Sequence, residues 1–417
     1  MIIEEKFRTL CAASRYDLAA PNFFKGQENT VAKEPGITIV HSRGGKAVPV
    51  LKLLFSNSCI YDCLYCPIRK SNDIQRTAFT VHEVVQVTRQ LYQQRKIQGL
   101  FLSSGILREP DYTSQLLVEV ARTLRLNHKF PGYIHLKVIP GTSDEIIRNA
   151  GLYADRISVN IELPSPASLA RLAPDKDSSA ILEPMQKMGT YITQNREERK
   201  LSARAPVFSP AGHTTQLIIG ATPESDAQIL TLSHRLYKDY KLSRVYYSAY
   251  VSVNSLPGLP SLPTPPVLRE HRLYQADWLI RFYDFHPSEI LPFGQDWLDE
   301  DIDPKTLWAV RNIHLFPVEI NKASAFFLKR IPGIGMQGLK RILHYRQYHL
   351  LSVEDVIKLG VSWEKARHFV TIRGKFYGLK ISDPQDLLAY FRTRTRIIQA
   401  HLPPLPGLSK NSRRTFR

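Results

Sequence analysis

Apolar runs and helical periodicity alternate along the chain between residues 49 and 250. Short apolar runs predict six β-strands, at residues 49–57, 99–104, 132–139, 155–163, 214–220 and 244–250. Apolar positions spaced by three or four predict helices between them, at residues 80–95, 113–128, 143–151, 179–200 and 225–240. Thr80 and Glu83 mark the start of the first helix, and Gly151 is the expected end of the third. This alternation predicts a parallel sheet with right-handed crossovers, either an open doubly wound sheet or a partial (β/α)6 barrel.

The pattern changes after residue 253. A proline-rich stretch at 254–272 predicts a stiff, extended linker. Beyond it the periodicity is helical, without alternating strands, at residues 286–292, 301–312, 321–347 and 352–370. The last eleven residues, 407–417, show no such pattern and are predicted to be disordered. The α/β fold is therefore expected to be followed by a small all-α domain.

Charge is distributed unevenly over the 417 residues. Residues 321–417 hold 19 Lys and Arg and 5 Asp and Glu, so they carry +14 of the chain's net charge of +18. This asymmetry indicates a polyanionic partner, although a solvated basic tail has the same composition. No apolar run approaches the roughly 20 residues that span a membrane, and the N-terminus is acidic where a signal peptide is basic. We expect a cytoplasmic protein without a membrane partner.

Three of the four cysteines stand in a C-x3-C-x2-C motif, Cys59, Cys63 and Cys66, directly after the first predicted strand. Ligands of parallel α/β folds lie at the carboxyl ends of the strands. A structural zinc ion takes four protein ligands, here with Cys11 or His41 as the fourth. A cubane iron–sulfur cluster held by three thiolates keeps one iron open for an amine and a carboxylate, the groups that S-adenosylmethionine offers.

The motif, with Tyr65 just before its last cysteine, resembles the signature of the radical S-adenosylmethionine superfamily. The resemblance implies a [4Fe-4S] cluster at the three cysteines, which cleaves S-adenosylmethionine to a 5′-deoxyadenosyl radical. It implies further cofactor contacts at the strand ends. After the second strand, Ser103, Ser104 and Gly105 stand where the superfamily has a Gly-Gly-Glu-like turn, without its glutamate.

Two later strands offer additional polar positions. Ser158, Asn160 and Glu162 alternate along the fourth predicted strand and would project from one face, where the superfamily contacts the cofactor. A buried hydrogen-bond network is the alternative for these three residues. Glu224, after the fifth strand, loosely matches the motif that supports the adenine and falls one residue late.

The third strand places Tyr133, His135 and Lys137 on one face. His135, with Lys137 beside it, is a candidate proton relay near the substrate. A lone histidine in a sheet is also an ordinary, hydrogen-bonded core residue.

A more specific resemblance is carried by the stretches DCLYCPIRKSND, GLFLSSGI, FPGYIHLKVIPG, ADRISVNIELP and LAPDKD. They resemble a family of DNA modification or repair radical S-adenosylmethionine proteins, from about Arg15 to Lys375. That family's genes tend to accompany a uracil-DNA-glycosylase-like protein, and its substrate is not established. The resemblance implies DNA as the substrate, the glycosylase-like protein as a partner, and an electron donor such as flavodoxin or ferredoxin. Relatives often carry another cysteine near residues 15–24, which this chain lacks.

The segment FFLKRIPGIGMQGLKRILHYR resembles a helix-hairpin-helix. Gly333 and Gly335 permit a tight turn whose exposed amides, at a helix N-terminus, favour a phosphate. Four basic residues flank the turn and would neutralise neighbouring phosphates; they are Lys329, Arg330, Lys340 and Arg341. A second, degenerate hairpin is expected with Gly360 at its turn. The alternative is a pair of hairpins used only for packing.

These patterns predict an enzyme that generates a carbon radical in a partial barrel and holds DNA on a helical module. The predicted parts are an N-terminal extension, the barrel, a linker with connecting helices, the helix-hairpin-helix domain and a basic tail, at residues 1–49, 50–253, 254–300, 301–375 and 376–417. Two rivals remain. One is an RNA-modifying enzyme of the same chemistry, and the other is a DNA-binding protein whose cluster is structural or redox-sensing.

Overall fold

A computed structural model of the protein describes residues 3–14, 35–41, 47–380 and 383–401, without the side chains of Ile3, His41 and residues 395–401. The segment at 15–24 and the predicted disordered end at 407–417 lie outside the described residues. The chain divides into two units. The first contains residues 1–224 and 235–266, and the second contains residues 225–234 and 267–417.

The first unit is built on a seven-stranded sheet. Its strands are β1 (Ile37–His41), β2 (Ala47–Leu54), β3 (Gly99–Ser103), β4 (Tyr133–Lys137), β5 (Arg156–Ser158), β6 (His213–Ile219) and β7 (Arg244–Ala249). The strands lie side by side in chain order, and β2 to β7 are all parallel. A doubly wound sheet reverses its strand order at a switch point, and this sheet does not, so that alternative is wrong. The sheet is the curled half-barrel that the alternation predicted.

Helices connect the parallel strands. They are α2 (Val81–Gln93), α3 (Pro110–Leu126), α4 (Asp144–Tyr153), α5 (Pro166–Leu172), α6 (Ser178–Leu201) and α7 (Asp226–Asp239), and α1 (Ile3–Ser14) precedes the sheet. Thr80 and Glu83 form the predicted capping box at the start of α2. The prediction that Gly151 ends α4 is wrong, because the helix continues to Tyr153. Gly151 instead lies against the ring of Phe208, which a Cβ atom at this position would approach to 2.0 Å.

Two strands differ from the prediction. β1 was not predicted, and it pairs antiparallel with β2 at the edge of the sheet. β5 ends at Ser158 rather than at residue 163, and the chain rejoins β6 only through a bridge between Glu162 and Leu217. Glu162 has a φ of 65°, a left-handed conformation that breaks the alternation of a strand. Ser158, Asn160 and Glu162 therefore do not share one face of a continuous strand.

The two faces of the sheet differ in polarity. His213 lies on the face covered by helices, since its Nε2 contacts the Tyr240 carbonyl at the end of α7. Its neighbours in register on that face are apolar and fully buried, and they include Ile157 and Leu136. The opposite, inner face carries polar side chains in register, such as His135 beside Arg156. This inner face leads to the strand ends where the predicted site residues lie.

The second unit contains eight helices among its described residues, apart from the part of α7 that belongs to it. They are α8 (Val267–Phe282), α9 (Pro287–Ile290), α10 (Pro304–Arg311), α11 (Ala325–Arg330), α12 (Met336–Tyr345), α13 (Val353–Lys358), α14 (Trp363–Ala366) and α15 (Pro384–His401). A small sheet accompanies them, formed by β8 (Val318–Glu319), β9 (Val370–Ile372) and β10 (Lys375–Phe376). The all-α prediction is therefore wrong for this unit.

Two further expectations for this half are corrected. The linker predicted at 254–272 turns into a helix at Val267. The predicted basic tail includes α15, which packs against its unit through the buried side chains of Leu387 and Phe391. Burial of these apolar side chains holds the segment against its unit. The sequence interpretation missed the helix because the surrounding charged residues obscured its amphipathic spacing.

α11, α12, α13 and α14 form two successive helical hairpins whose turns pack against each other. The Ser362 amide donates to the Gly333 carbonyl at 2.9 Å. Gly333 has a φ of +85°, and a Cβ atom there would lie 2.4 Å from the Ser362 carbonyl oxygen. Gly360, at the second turn, also has a positive φ, of +87°. Glycine at 333 is therefore required by both the turn and the contact between the hairpins.

Candidate functional site

The cysteine loop follows β2 at the carboxyl end of the sheet. Cys63 is buried, whereas Cys59 and Cys66 are half-buried. Asn254 fastens the loop, since its side-chain amide donates to the carbonyls of Leu64 and Cys66 at 2.7 and 3.0 Å. These carbonyls lack regular secondary-structure partners, so the distant asparagine fixes the loop shape.

The turn after β3 lies directly against this loop. The Ile106 amide donates to Cys59 Sγ at 3.5 Å, and the Ile60 amide donates to the Ile106 carbonyl at 2.8 Å. A Cβ atom at Gly105 would lie 2.3 Å from the Ser58 carbonyl oxygen, so only glycine permits this approach. An amide that donates to sulfur stabilises the thiolate, which is the form that binds metal. The structure thus brings the predicted turn residues, Ser103, Ser104 and Gly105, beside the cysteines.

A buried ion pair stands next to the thiols. Lys176 Nζ lies 2.8 Å from Glu162 Oε1, and both side chains are about nine-tenths buried. Burial alone would lower the pKa of Lys176, but the carboxylate of Glu162 contributes to raising it overall, so the lysine is a cation. Lys176 was not predicted, because only the fold brings it to the cysteine loop.

Burial controls the protonation of the thiols. It raises the pKa of Cys66 to about 12, and it raises the pKa of Cys63 against the opposing influence of Lys176. Both are neutral thiols at pH 7, so a metal must displace their protons as it binds. The positive charge of Lys176 then offsets the new negative charge. This donor chemistry fits an iron–sulfur cluster.

The same loop contains Tyr65, whose hydroxyl is fully buried and lacks a hydrogen bond of normal geometry. Burial raises its pKa well above the ordinary value, and the nearby Glu162 and Cys63 raise it further. Among the described residues, no three His, Cys, Asp or Glu side chains lie close enough together to hold a single metal ion. A cubane distributes its thiolates over separate irons and does not require them to converge on one ion.

Two of the remaining polar candidates, Glu162 and Glu224, have protein partners. Glu224 Oε1 accepts from the hydroxyls of Ser165 and Ser168, which places it at the start of α5. Glu162 is paired with Lys176, and Asn160 is buried beside it in the chain. These contacts are a buried polar network at the strand ends, and a role in cofactor binding stays a prediction for each residue.

His135 lies inside the sheet, with Lys137 at the end of the same strand. His135 Nε2 is 2.9 Å from Ser158 Oγ, and its ring meets the edge of Phe101 at 4.6 Å between centroids. Burial, reinforced by Arg156 and Lys137, lowers its pKa well below the ordinary value. His135 is therefore a neutral imidazole at pH 7 that positions Ser158. Proton transfer by His135 or Lys137 stays a prediction.

The four cations predicted at the hairpin fall into two groups. Lys329 pairs with Asp284, and Arg330 is only 3% exposed, with Glu289 at 2.8 Å and the Phe326 ring at 3.9 Å. Arg330 is thus enclosed by its own unit, and its predicted contact with phosphate is wrong. Lys340 and Arg341 are exposed on α12. Gly335 stands at the start of this helix, which lacks a side-chain cap.

Comparison with known proteins found similarity among solved structures only. No family model matches the chain, and no curated protein matches it. The FeFe-hydrogenase maturase HydG from Carboxydothermus hydrogenoformans is 14% identical, over 55% of this chain and 50% of that one, with a TM-score of 0.38. A second HydG structure is 15% identical, over 54% of this chain and 48% of that one, also with a TM-score of 0.38. This chain therefore spans about half the length of these HydG chains.

A third similar structure is the cobalamin-dependent S-adenosylmethionine radical enzyme OxsB with aqua-cobalamin bound. It is 12% identical, over 87% of this chain and 60% of that one, with a TM-score of 0.34. No helix in the described part of this chain is both long and apolar enough to cross a membrane.

Proposed function

We propose that this chain is a radical S-adenosylmethionine enzyme that acts on nucleic acid, most specifically on DNA. The observation that carries the proposal is the position of Cys59, Cys63 and Cys66. They follow the first parallel strand of a half-barrel wound in chain order, and a backbone amide donates to one of their sulfurs. The spacing of the cysteines in the sequence and their position in the fold are two independent observations that support the same proposal.

The proposed roles of the chain's own residues follow from their contacts. The three cysteines would hold a [4Fe-4S] cluster, which when bound supplies the electron that cleaves S-adenosylmethionine to a 5′-deoxyadenosyl radical. Lys176 offsets the charge of the thiolates, and Asn254 keeps the loop in shape. Ser103, Ser104 and Gly105 offer backbone groups beside the cysteines for the methionyl end of the cofactor.

The inner face of the half-barrel carries polar side chains. One of them is Arg156, whose guanidinium donates to the Tyr246 hydroxyl at 3.2 Å and to the Ala211 carbonyl. A base within a duplex would have to leave the stack to reach this face.

The nucleic-acid assignment rests on the second unit. Residues 321–417 carry a charge of +14, and Lys340 and Arg341 are exposed on α12, close to its uncapped N-terminus. Backbone amides at a helix N-terminus favour phosphate without regard to sequence, and exposed cations add non-specific affinity. The family resemblance favours DNA over RNA. The same chemistry also fits structured RNA.

The proposal is tested with anaerobically reconstituted, reduced protein, S-adenosylmethionine and mixed nucleic acids. Nucleosides from the digested products are then compared by mass spectrometry with those from a reaction without reductant. We expect 5′-deoxyadenosine together with an altered deoxyribonucleoside. An altered ribonucleoside would support the RNA-modifying alternative. A reduced cluster that leaves S-adenosylmethionine intact would assign the protein to the redox-sensing alternative.

A further inference from the structure

Exposed aromatic rings are concentrated in the second unit. Seven of its described aromatic side chains are exposed, namely Trp278, Phe282, Phe293, Trp297, Phe326, Tyr345 and Tyr348. The described part of the first unit exposes one such ring, Tyr112. Single exposed rings are ordinary, whereas adjacent exposed rings mark a binding surface, so the rings that lie near one another are the informative ones.

Three of these rings lie on α8 and α11. Trp278 and Phe282 are one turn apart on α8, with ring centroids 5.9 Å apart in an edge-to-face arrangement. Phe326, at the start of α11, is 54% exposed. Asp284 connects the two helices, because it pairs with Lys329 while its carbonyl accepts from Arg330 at 3.4 Å. The end of α8 therefore lies beside α11 of the first helical hairpin.

Cations hold two of the rings in place. The guanidinium of Arg281 lies 4.7 Å from the Phe282 centroid, and that of Arg330 lies 3.9 Å from the Phe326 centroid. Arg281 is itself fixed by the fully buried Asp277 at 2.7 Å. Both guanidinium groups are neutralised by carboxylates of their own unit, Asp277 and Glu289, so they orient the rings without adding net charge. Exposed aromatic rings are surfaces on which unpaired bases stack, whatever the base.

We propose that Trp278, Phe282 and Phe326 form a stacking surface for unpaired nucleotides, beside the hairpin proposed to hold the phosphate backbone. This inference rests on the proposed function, and it specifies a single-stranded or locally opened strand as the substrate. A protein partner would also cover aromatic rings. The net charge of +14 on residues 321–417, the segment that contains Phe326, favours a polyanion.

The test compares two forms of one 16-nucleotide DNA, single-stranded and duplex, by fluorescence anisotropy with the full-length chain. The variant is Trp278→Leu with Phe282→Leu. We expect it to bind the single strand about tenfold more weakly, because each stacked base loses an aromatic partner, and to bind the duplex within twofold of the wild type. The salt dependence should not change, since no phosphate contact is removed.

The matched control is Tyr112→Leu in the first unit, where Arg108 lies 4.7 Å from an exposed ring. It should bind both forms as the wild type does. Trp278→Tyr, which retains a ring at this position, should keep most of the affinity for the single strand that the double variant loses. This comparison separates the loss of stacking from misfolding. If the wild type binds the single strand and the double variant binds it equally well, this inference alone is overturned. A wild-type chain that binds neither form would overturn the proposed nucleic-acid function and this inference with it.

Discussion

Lys305 is a buried residue that orients the turn before α12. It lies in the first turn of α10, and its Nζ donates to the Ile334 carbonyl at 2.7 Å. In a trans peptide the carbonyl and the following amide point in opposite directions. Because the Ile334 carbonyl points at the buried lysine, the Gly335 amide points away from it. The lysine therefore helps to present the amide that the proposed phosphate site uses.

Lys305 also predicts a pH dependence of stability. Burial, together with Arg330 and Lys365 and against the attraction of Asp303, lowers its pKa to about 7 from 10.5. Between these values the unfolded chain binds more protons than the folded chain, so stability rises with pH across this window. Relative to Lys305→Met, we expect the wild type to gain up to about 1.4 kcal/mol per pH unit above pH 7.

Urea unfolding followed by tryptophan fluorescence measures this effect in the second unit, because all four tryptophans lie there, at positions 278, 297, 308 and 363. Lys358→Met, which removes an exposed lysine on α13, serves as the control. Parallel pH profiles for the wild type and Lys305→Met would contradict the assigned titration.

At the scale of the element, the N-terminus of α12 permits a discriminating substitution. Gly335 is its N-cap, with φ of −82° and ψ of 166°, and no atom lies within 4 Å of a Cβ built there. Asp and Asn are both good N-caps in this conformation. Gly333 offers no comparable test, since any side chain would strike the Ser362 carbonyl.

We expect Gly335→Asp to keep or slightly raise the stability of the second unit, by a few tenths of a kcal/mol, while DNA binds at least about fivefold more weakly. The added carboxylate competes for the amides and repels phosphate. Gly335→Asn, which caps the helix without charge, should lose less affinity than Gly335→Asp. Fluorescence anisotropy at two salt concentrations provides the comparison. Equal affinities for the wild type and Gly335→Asp would place the phosphate elsewhere.

Local patterns predicted the six parallel strands and most of their helices, because each strand lies within an apolar run and most of the helices are long enough to show a helical period. β1 is only five residues long and is defined by its non-local pairing with β2. β8, β9 and β10 have two or three residues each and show no period at all. The interior glycine of α4 resembles a helix end in sequence, and only the contact with Phe208 explains it.

At the scale of the whole molecule, the candidate site was predictable in part. The three cysteines lie within eight residues, so their spacing is visible in the sequence. Lys176 and Asn254 are brought to the cysteine loop only by the winding of the half-barrel, and no local signal marks them. Arg330 was misassigned for the same reason, since a basic residue beside a turn does not reveal that Glu289 and aromatic rings enclose it.

The proposed role of the three cysteines is tested most directly by an anaerobic assay. The reconstituted protein is reduced in the presence of S-adenosylmethionine, and the 5′-deoxyadenosine that forms is quantified. Cys63→Ala is compared with Cys11→Ala, which removes the buried cysteine outside the motif. We predict that the wild type and Cys11→Ala show cluster absorption and form 5′-deoxyadenosine, and that Cys63→Ala shows neither. Formation of 5′-deoxyadenosine by Cys63→Ala, or its absence from wild-type protein carrying a full cluster, would contradict this function.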